Sequence, residues 1–306
     1  MSFSDEVRRE ICTYITDKDK RFACLYGMIL FSRTLDKNHI CFQTKSRISA
    51  QTFSRLFEKV FHFSLDCKES HGKNGGAVYI YDIRSPKITD EIFSRYRISD
   101  GSRHIDSEMI SISSLGIFTA GIFLACGSVN DPEKEYHLEF TVTDEVLADE
   151  LISLLGDIGV TAKRSSRRGQ HIVYIKGSES IEDTLTFIGA KQCTLDIINV
   201  KIYKDIRNKA NRITNCDSAN IDKTVNASLR QTEDISLIAE TRGLDSLPDD
   251  LLEIARLRLD NPVMNLRDIG ESLSEPISRS GVNHRFQRIA KIADDIRKEC
   301  GSGECR

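Results

Sequence analysis

The sequence predicts an α+β protein, a pseudosymmetric mixed domain followed by an all-α C-terminal domain. Three observations carry this. The order helix, strand, helix, strand, strand occurs twice within about the first 190 residues, and an internal repeat of that kind must be found before a fold is named. From Cys193 glycine is absent until Gly243, so the character of the chain changes. Finally, two short helical patterns joined by a tight turn lie near the C-terminus, at Ile269-Gly270-Glu271-Ser272-Leu273 and from Ile277 through Phe286.

Taken in order, Ser4-Asp5-Glu6 reads as a helix start, a capping serine with acids in the first turn. Residues 21–34 read as a helix apolar nearly all round, and therefore buried on most sides. A strand at 39–44 follows, then a helix at 49–61 with Phe53, Leu56, Phe57 and Val60 at the 3-and-4 spacing of one face. Strands at 64–68 and 77–83 flank Gly72-Lys73-Asn74-Gly75-Gly76, a hairpin loop. The second copy comprises a very apolar helix at 115–127, a strand at 136–142, a helix at 144–155 and strands at 160–165 and 170–176 joined by Ser166-Arg167-Arg168-Gly169. Gly27 and Gly121 are equivalent under the repeat, as roughly are Phe42 and Phe140.

The expected domains are 1–190, with halves of about 1–98 and 105–190, a helical linking region at 191–243, and a C-terminal domain at 244–300. Helices are expected across 191–243, one carrying Ile202, Ile206 and Ile213. Pro248-Asp249-Asp250 begins another, with proline in the first turn and acids at the positive end of the dipole, and Asn261-Pro262 stops it.

Composition bounds the function. The 306 residues suffice for two cores. A net charge of −3 does not announce a nucleic-acid partner, so any such binding must come from local clustering. The nine cysteines form no Cys-x-x-Cys pair, and no secretory signal or run of about 18 apolar residues is present. A reduced cytoplasm and no membrane span are expected. Seven histidines without His-x-x-x-His or Cys/His clustering indicate no metal site. The glycines at 72–76 lack the lysine-serine ending of a phosphate loop, and no cofactor or catalytic residue is expected.

On the last helix, at about 100° per residue, Val282, Phe286, Ile289, Ala293 and Ile296 fall on one side. Ser280, His284, Gln287, Arg288 and Lys291 fall on the other, with Asn283 and Arg285 on the flanks. Between Arg279 and Lys291 there are four Lys or Arg and no acid. An apolar back with donors in front is what a DNA-reading helix needs. The motif is a helix-turn-helix over residues 266–298, opened by Leu266 and closed by Lys298, with double-stranded DNA as the expected partner.

Two other basic stretches leave alternatives open. Lys163, Arg164, Arg167, Arg168 and His171 cluster on the second hairpin, as phosphate contacts or as a solvated tip, and Lys73 holds the matching place in the first. Lys201, Lys204, Arg207, Lys209 and Arg212, with Asp205 as the only acid, form either a DNA-facing strip or a solvated helix.

The stretch Thr119-Ala120-Gly121-Ile122-Phe123-Leu124-Ala125-Cys126-Gly127 resembles the nine-residue LAGLIDADG motif in length, glycine placement and apolar content, and Leu25 through Arg33 is a poorer copy. Together with Gly127-Ser128-Val129-Asn130-Asp131-Pro132, Tyr136-His137-Leu138-Glu139, the segment from Asn211 to Asn220 and Ser278 through Arg285, the chain resembles the WhiA family over essentially its whole length. That resemblance implies a homing-endonuclease-like N-terminal domain before a helix-turn-helix. It also implies a bacterial regulator associated with sporulation in some lineages and with cell division and chromosome segregation in others, so regulatory or division proteins join DNA as expected partners and the nucleoid is the expected location. Active LAGLIDADG nucleases end each motif with a metal-holding acid. Here that position is Ser32 in one copy and Cys126 in the other, neither of which supplies the hard carboxylate oxygens Mg²⁺ prefers. Asp36 and Asp131 lie beyond the motif. The expectation is therefore a transcription factor without nuclease activity. The rivals are a residual endonuclease and a division-machinery protein for which DNA contact is secondary.

Overall fold

The computed structural model describes residues 2–71 and 76–301, which divide into two compact units on either side of a boundary between Lys204 and Asp205. Residues 72–75 of the first hairpin loop, Lys73 among them, lie outside the described part.

The N-terminal unit begins with α1 (Phe3–Tyr14), α2 (Lys18–Leu30), β1 (Thr34–Asp36), β2 (His39–Thr44), α3 (Arg47–Phe61), β3 (Cys67–His71), β4 (Ala77–Ile83) and α4 (Pro86–Arg95). Its second half comprises α5 (Leu115–Cys126), β5 (Gly127–Val129), β6 (Leu138–Val142), α6 (Glu145–Asp157), β7 (Lys163–Arg167), β8 (Gln170–Ile175) and α7 (Ser178–Phe187). The two sheets share one design, antiparallel throughout in the orders β1-β2-β4-β3 and β5-β6-β8-β7. Alternation sets the faces. Phe42 pairs with Tyr81 and Phe140 with Val173, and all four are buried beneath the helices.

At the centre α2 packs against α5. A Cβ on Gly121 would lie 2.1 Å from the Cys24 carbonyl oxygen, and one on Gly27 2.4 Å from that of Phe118. The two equivalent glycines thus let the helix backbones touch, and larger residues around them, such as Leu25, Met28, Phe118 and Ile122, complete a core with less than 1% exposure each.

Several elements differ from the sequence expectation. The cap of α1 is Ser2, whose Oγ accepts from Asp5 N. Ser4 is instead buried, bonded through its Oγ to both the N–H and the carbonyl of Val129, 125 residues away. The first buried helix ends at Leu30 instead of 34, because Thr34–Asp36 forms β1 directly after it, as Gly127–Val129 does after α5. The repeat is therefore helix, strand, strand, helix, strand, strand, helix. The Arg168-Gly169 turn has positive φ at both residues, 52° and 74°, the twist-matched two-residue hairpin.

The several helices expected at 191–243 are one, α8 (Lys191–Thr241), 51 residues long. Its first turns contribute Cys193 and Ile197 to the N-terminal core, and its last turns contribute Ile235 and Ile238 to the C-terminal core. Between these, Ile202, Ile206 and Ile213 are exposed. Lys201 pairs with Glu179 and Glu182, and Lys204 Nζ donates to the Pro132 carbonyl, so both are engaged within the N-terminal unit, whereas Arg207, Lys209 and Arg212 are exposed. No helix among the described residues is long and apolar enough to cross a membrane.

The C-terminal unit adds α9 (Asp249–Asp260), α10 (Leu266–Glu271) and α11 (Arg279–Gly301) to the end of α8. Pro248 stands at the N-cap position of α9 without a side-chain capping hydrogen bond, one position earlier than its expected place in the first turn.

Candidate nucleic-acid interface

The helix-turn-helix is built on close contact between α10 and α11. Asn265 caps α10, its Oδ1 accepting from Arg267 N and Asp268 N at 3.0 Å each. A Cβ on Gly270 would lie 2.4 Å from the Ile277 carbonyl oxygen and 3.1 Å from Val282. The turn is pinned by Ile277 N donating to the Gly270 carbonyl at 3.1 Å, and Ser278 Oγ accepts from Gly281 N at the start of α11. Val282, Phe286, Ile289, Ala293 and Ile296 are all buried, against Ile269, Leu273, Leu251 and Ile254.

The opposite side of α11 divides into two groups. Arg279, Ser280, Asn283, His284, Gln287 and Lys291 are exposed. Among the described residues neither Arg279 nor Lys291 has an ion-pair partner. Arg285 and Arg288 instead turn onto the first turn of α9. Arg288 Nη1 meets Asp250 Oδ2 at 2.5 Å, and the half-buried Arg285 donates to the Asp250 carbonyl at 3.2 Å. Asp250 thus offsets the charge of two of the eight residues singled out from sequence. The other six are exposed, Ser280 with its hydroxyl bonded to that of Ser278 at 2.9 Å, and they start at the N-terminus of the helix, where a helix-turn-helix brings its side chains to base edges.

The basic hairpin of the N-terminal unit is similarly split. Lys163, Arg164, Arg167 and Arg168 are all exposed. Arg164 is opposite Val173, on the helix side of the sheet, and is held by Glu145 at 2.9 Å and Asp149 at 2.7 Å on α6. Lys163 and Arg167 alternate onto the open face, beside Tyr174 and Gln170. Sequence clustering brought four cations together; strand alternation separates them.

At the ends of α2 and α5, Ser32 is buried, with Oγ donating to the Thr34 carbonyl and its own carbonyl accepting from Arg103 at 2.9 Å. The Cys126 thiol donates to the Ile122 carbonyl, and burial pushes its pKa up to about 12, so it is a neutral thiol at neutral pH. Beside Cys126 lies a cleft of about 490 Å³ whose lining includes Arg8, Arg33 and Lys45 but no Asp or Glu. Asp36 and Asp131 serve local turns, accepting from Asn38 N and Glu133 N. Among the described residues no group of three or more His, Cys, Asp and Glu converges as a metal site would require.

A second cation-lined cavity, in the C-terminal unit, escaped the sequence reading. It holds Arg258, only 2% exposed. The spacing Leu251, Ile254, Ala255, Arg258 is the signal that could have found it, since it puts that arginine on the buried face of α9.

Comparison with known proteins agrees with this anatomy. Residues 210–293 match the family model described as the WhiA C-terminal HTH domain, and residues 115–207 the WhiA LAGLIDADG-like domain. The second motif copy falls inside the latter match and the poorer first copy outside it. A "Probable cell division protein WhiA" from Clostridium acetobutylicum is 36% identical over 315 residues, covering 98% of this chain and 99% of the relative. The protein of the same name from Clostridium tetani is 37% identical over 323 residues, with the same coverage. The crystal structure of full-length DUF199/WhiA from Thermatoga maritima superposes with a TM-score of 0.60 at 25% identity, covering 96% of this chain and 99% of that one.

Proposed function

This chain belongs to the WhiA family, and on that premise we propose that it is a DNA-binding transcriptional regulator whose nuclease-like N-terminal unit binds without cutting. The observation that carries the reading is the exposed face of α11: six polar side chains, Arg279 and Lys291 without ion-pair partners among the described residues, and no acid between them in the sequence. Arg and Lys contact phosphate and guanine, Asn and Gln pair with adenine, and these are the donors a major-groove helix uses. The relatives' name supports cell division as the regulated process. Chromosome segregation and sporulation are the neighbouring roles that the family resemblance suggests, and DNA as the partner places the protein at the nucleoid. Capture of crosslinked DNA from host cells is expected to enrich discrete promoter fragments. Uniform recovery of the genome would sink the regulatory reading.

The cleft beside Cys126 supports binding over cleavage. Two-metal cleavage needs carboxylates to hold the ions, whereas Arg33 and Lys45, without carboxylate partners among the described residues, offset phosphate charge; Arg8 is already paired with Asp5 at 3.0 Å. Incubating the full chain with plasmid DNA and Mg²⁺ or Mn²⁺ is expected to leave it uncut. Metal-dependent cutting abolished by Asp131→Ala would overturn this. The relatives' printed name also favours a second reading, direct action on division proteins. It predicts that substitutions on α11 leave the division phenotype intact.

A further inference from the structure

The cavity around Arg258 measures about 500 Å³ and lies wholly within the C-terminal unit. Its walls come from the α8 segment carrying Lys223 and Gln231, from α9, and from the starts of α10 and α11 with Arg267, Arg279 and Asn283. Four of its lining residues are Lys or Arg and none is Asp or Glu. The α8 wall is tied to the loop after α9 by Ser228 Oγ donating to the Pro262 carbonyl.

Arg258 makes this more than a basic groove. It is 2% exposed yet has no carboxylate partner among the described residues. Nη1 donates to the carbonyls of Pro262 and Met264 at 3.3 and 2.6 Å, and the guanidinium lies over the Phe286 ring. Its Nε is buried without a hydrogen-bond partner. A buried charge left without a counter-ion is strongly unfavourable, and the uncommitted side of a guanidinium is the fork that matches phosphate oxygens. Lys223 and Arg279 also have no ion-pair partner among the described residues, and Arg267 has only an exposed pair with Glu271 at 2.9 Å.

We propose that this cavity is a phosphate-binding site and that its occupant is a backbone phosphate of the DNA read by α11. The inference rests on the DNA-binding reading and extends it to a helix outside the helix-turn-helix. On α11, Arg279 and Asn283 line the cavity while Ser280, His284 and Gln287 stand on the adjoining face. A phosphate seated here fixes the angle at which that face meets the groove. Lys223 on α8 then acts as a clamp from outside the motif.

The test is a salt titration of DNA affinity with the full chain and Lys223→Met, a change at an exposed position of α8. The variant is expected to bind all DNA sequences about 3- to 10-fold more weakly. The slope of log affinity against log salt should fall by about one, the loss of a single phosphate contact. An unchanged slope and affinity, with the wild type binding DNA normally, overturns the DNA assignment. A parallel thermal melt in pyrophosphate then separates the sources. Stabilisation of the wild type but not of Lys223→Met identifies a free phosphate-bearing anion as the occupant, and no stabilisation of either overturns the site. Should the wild type bind no DNA at all, the functional reading itself fails, and the pyrophosphate melt alone decides the site.

Discussion

Gly121→Ala is expected to cost the N-terminal unit about 3 kcal/mol or more, a large share of the roughly 5–15 kcal/mol that holds a domain folded. The added Cβ would sit 2.1 Å from the Cys24 carbonyl oxygen and 2.9 Å from the carbonyl carbon. Both atoms belong to the backbone of α2, so no side-chain rotation relieves the overlap. The helices can only move apart, and doing so opens gaps around Leu25, Met28, Phe118 and Ile122, all now fully buried. Gly27→Ala meets Phe118 O at 2.4 Å and Ile122 N at 3.1 Å and is expected to behave alike. Gly156 is the control. It lies within α6, where a Cβ would meet nothing within 4 Å, and its replacement by alanine should be neutral or stabilise by up to about 1 kcal/mol. Urea unfolding followed by far-ultraviolet dichroism measures all three. A Gly121→Ala midpoint within error of the wild type would show that the two halves do not meet through their backbones.

The second large effect is on DNA. Asn283→Ala and His284→Ala are expected to lower affinity for a preferred sequence by about 1–3 kcal/mol each, roughly 5- to 150-fold, with a much smaller loss on unrelated DNA. Lys291→Ala should weaken binding to all sequences and reduce the salt slope by about one. Arg288→Ala should do less, because Asp250 already offsets that charge at 2.5 Å. The sequence ranks Arg288 with Lys291; the ion pair separates them. All four are on exposed positions of α11, where substitutions away from the core shift stability by only about 0.5 kcal/mol. A loss of binding therefore reports on the interface instead of the fold. Equal effects of Arg288→Ala and Lys291→Ala on the salt slope would mean that the Asp250 pair opens on DNA.

Much of this was written in short-range pattern. The spacing of Phe53, Leu56, Phe57 and Val60 marks α3, the alternation about Phe42 and Phe140 marks β2 and β6, and the two equivalent glycines mark the helix pair. Such signals survive because one face is buried and the other is not. The three-residue strands β1 and β5 carry no period, since they are too short to show one. Ser4 looked like a cap because the partner that claims its hydroxyl, Val129, is 125 residues distant. The continuity of α8 has a signal in the sequence. Between 191 and 241 there is neither glycine nor proline, and nothing else would have ended the helix. Its middle gives no amphipathic pattern because residues 205–227 are exposed on every side.

At the interface, composition found the cations but not their directions. Arg164 and Lys163 are adjacent in sequence and face opposite sides of one sheet. Arg285 and Arg288 look like donors for DNA until the first turn of α9 is placed beside them. An arginine is seldom as buried as Arg258, although its spacing with Leu251 and Ile254 puts it on the inner face of α9.

If sequence readout resides on the exposed face of α11, it shows in the ratio of affinities for a fragment captured from the host genome and for unrelated DNA of equal length. That ratio is measured at about 0.15 M salt for the full chain, for Asn283→Ala/His284→Ala, and for Lys163→Ala/Arg167→Ala on the open face of the second sheet. The α11 double variant is predicted to bring the ratio close to one while retaining weak general binding, and the hairpin variant to keep the wild-type ratio. A preserved ratio in the α11 variant, together with its loss in the hairpin variant, would move the reading of DNA to the nuclease-like unit and contradict the account.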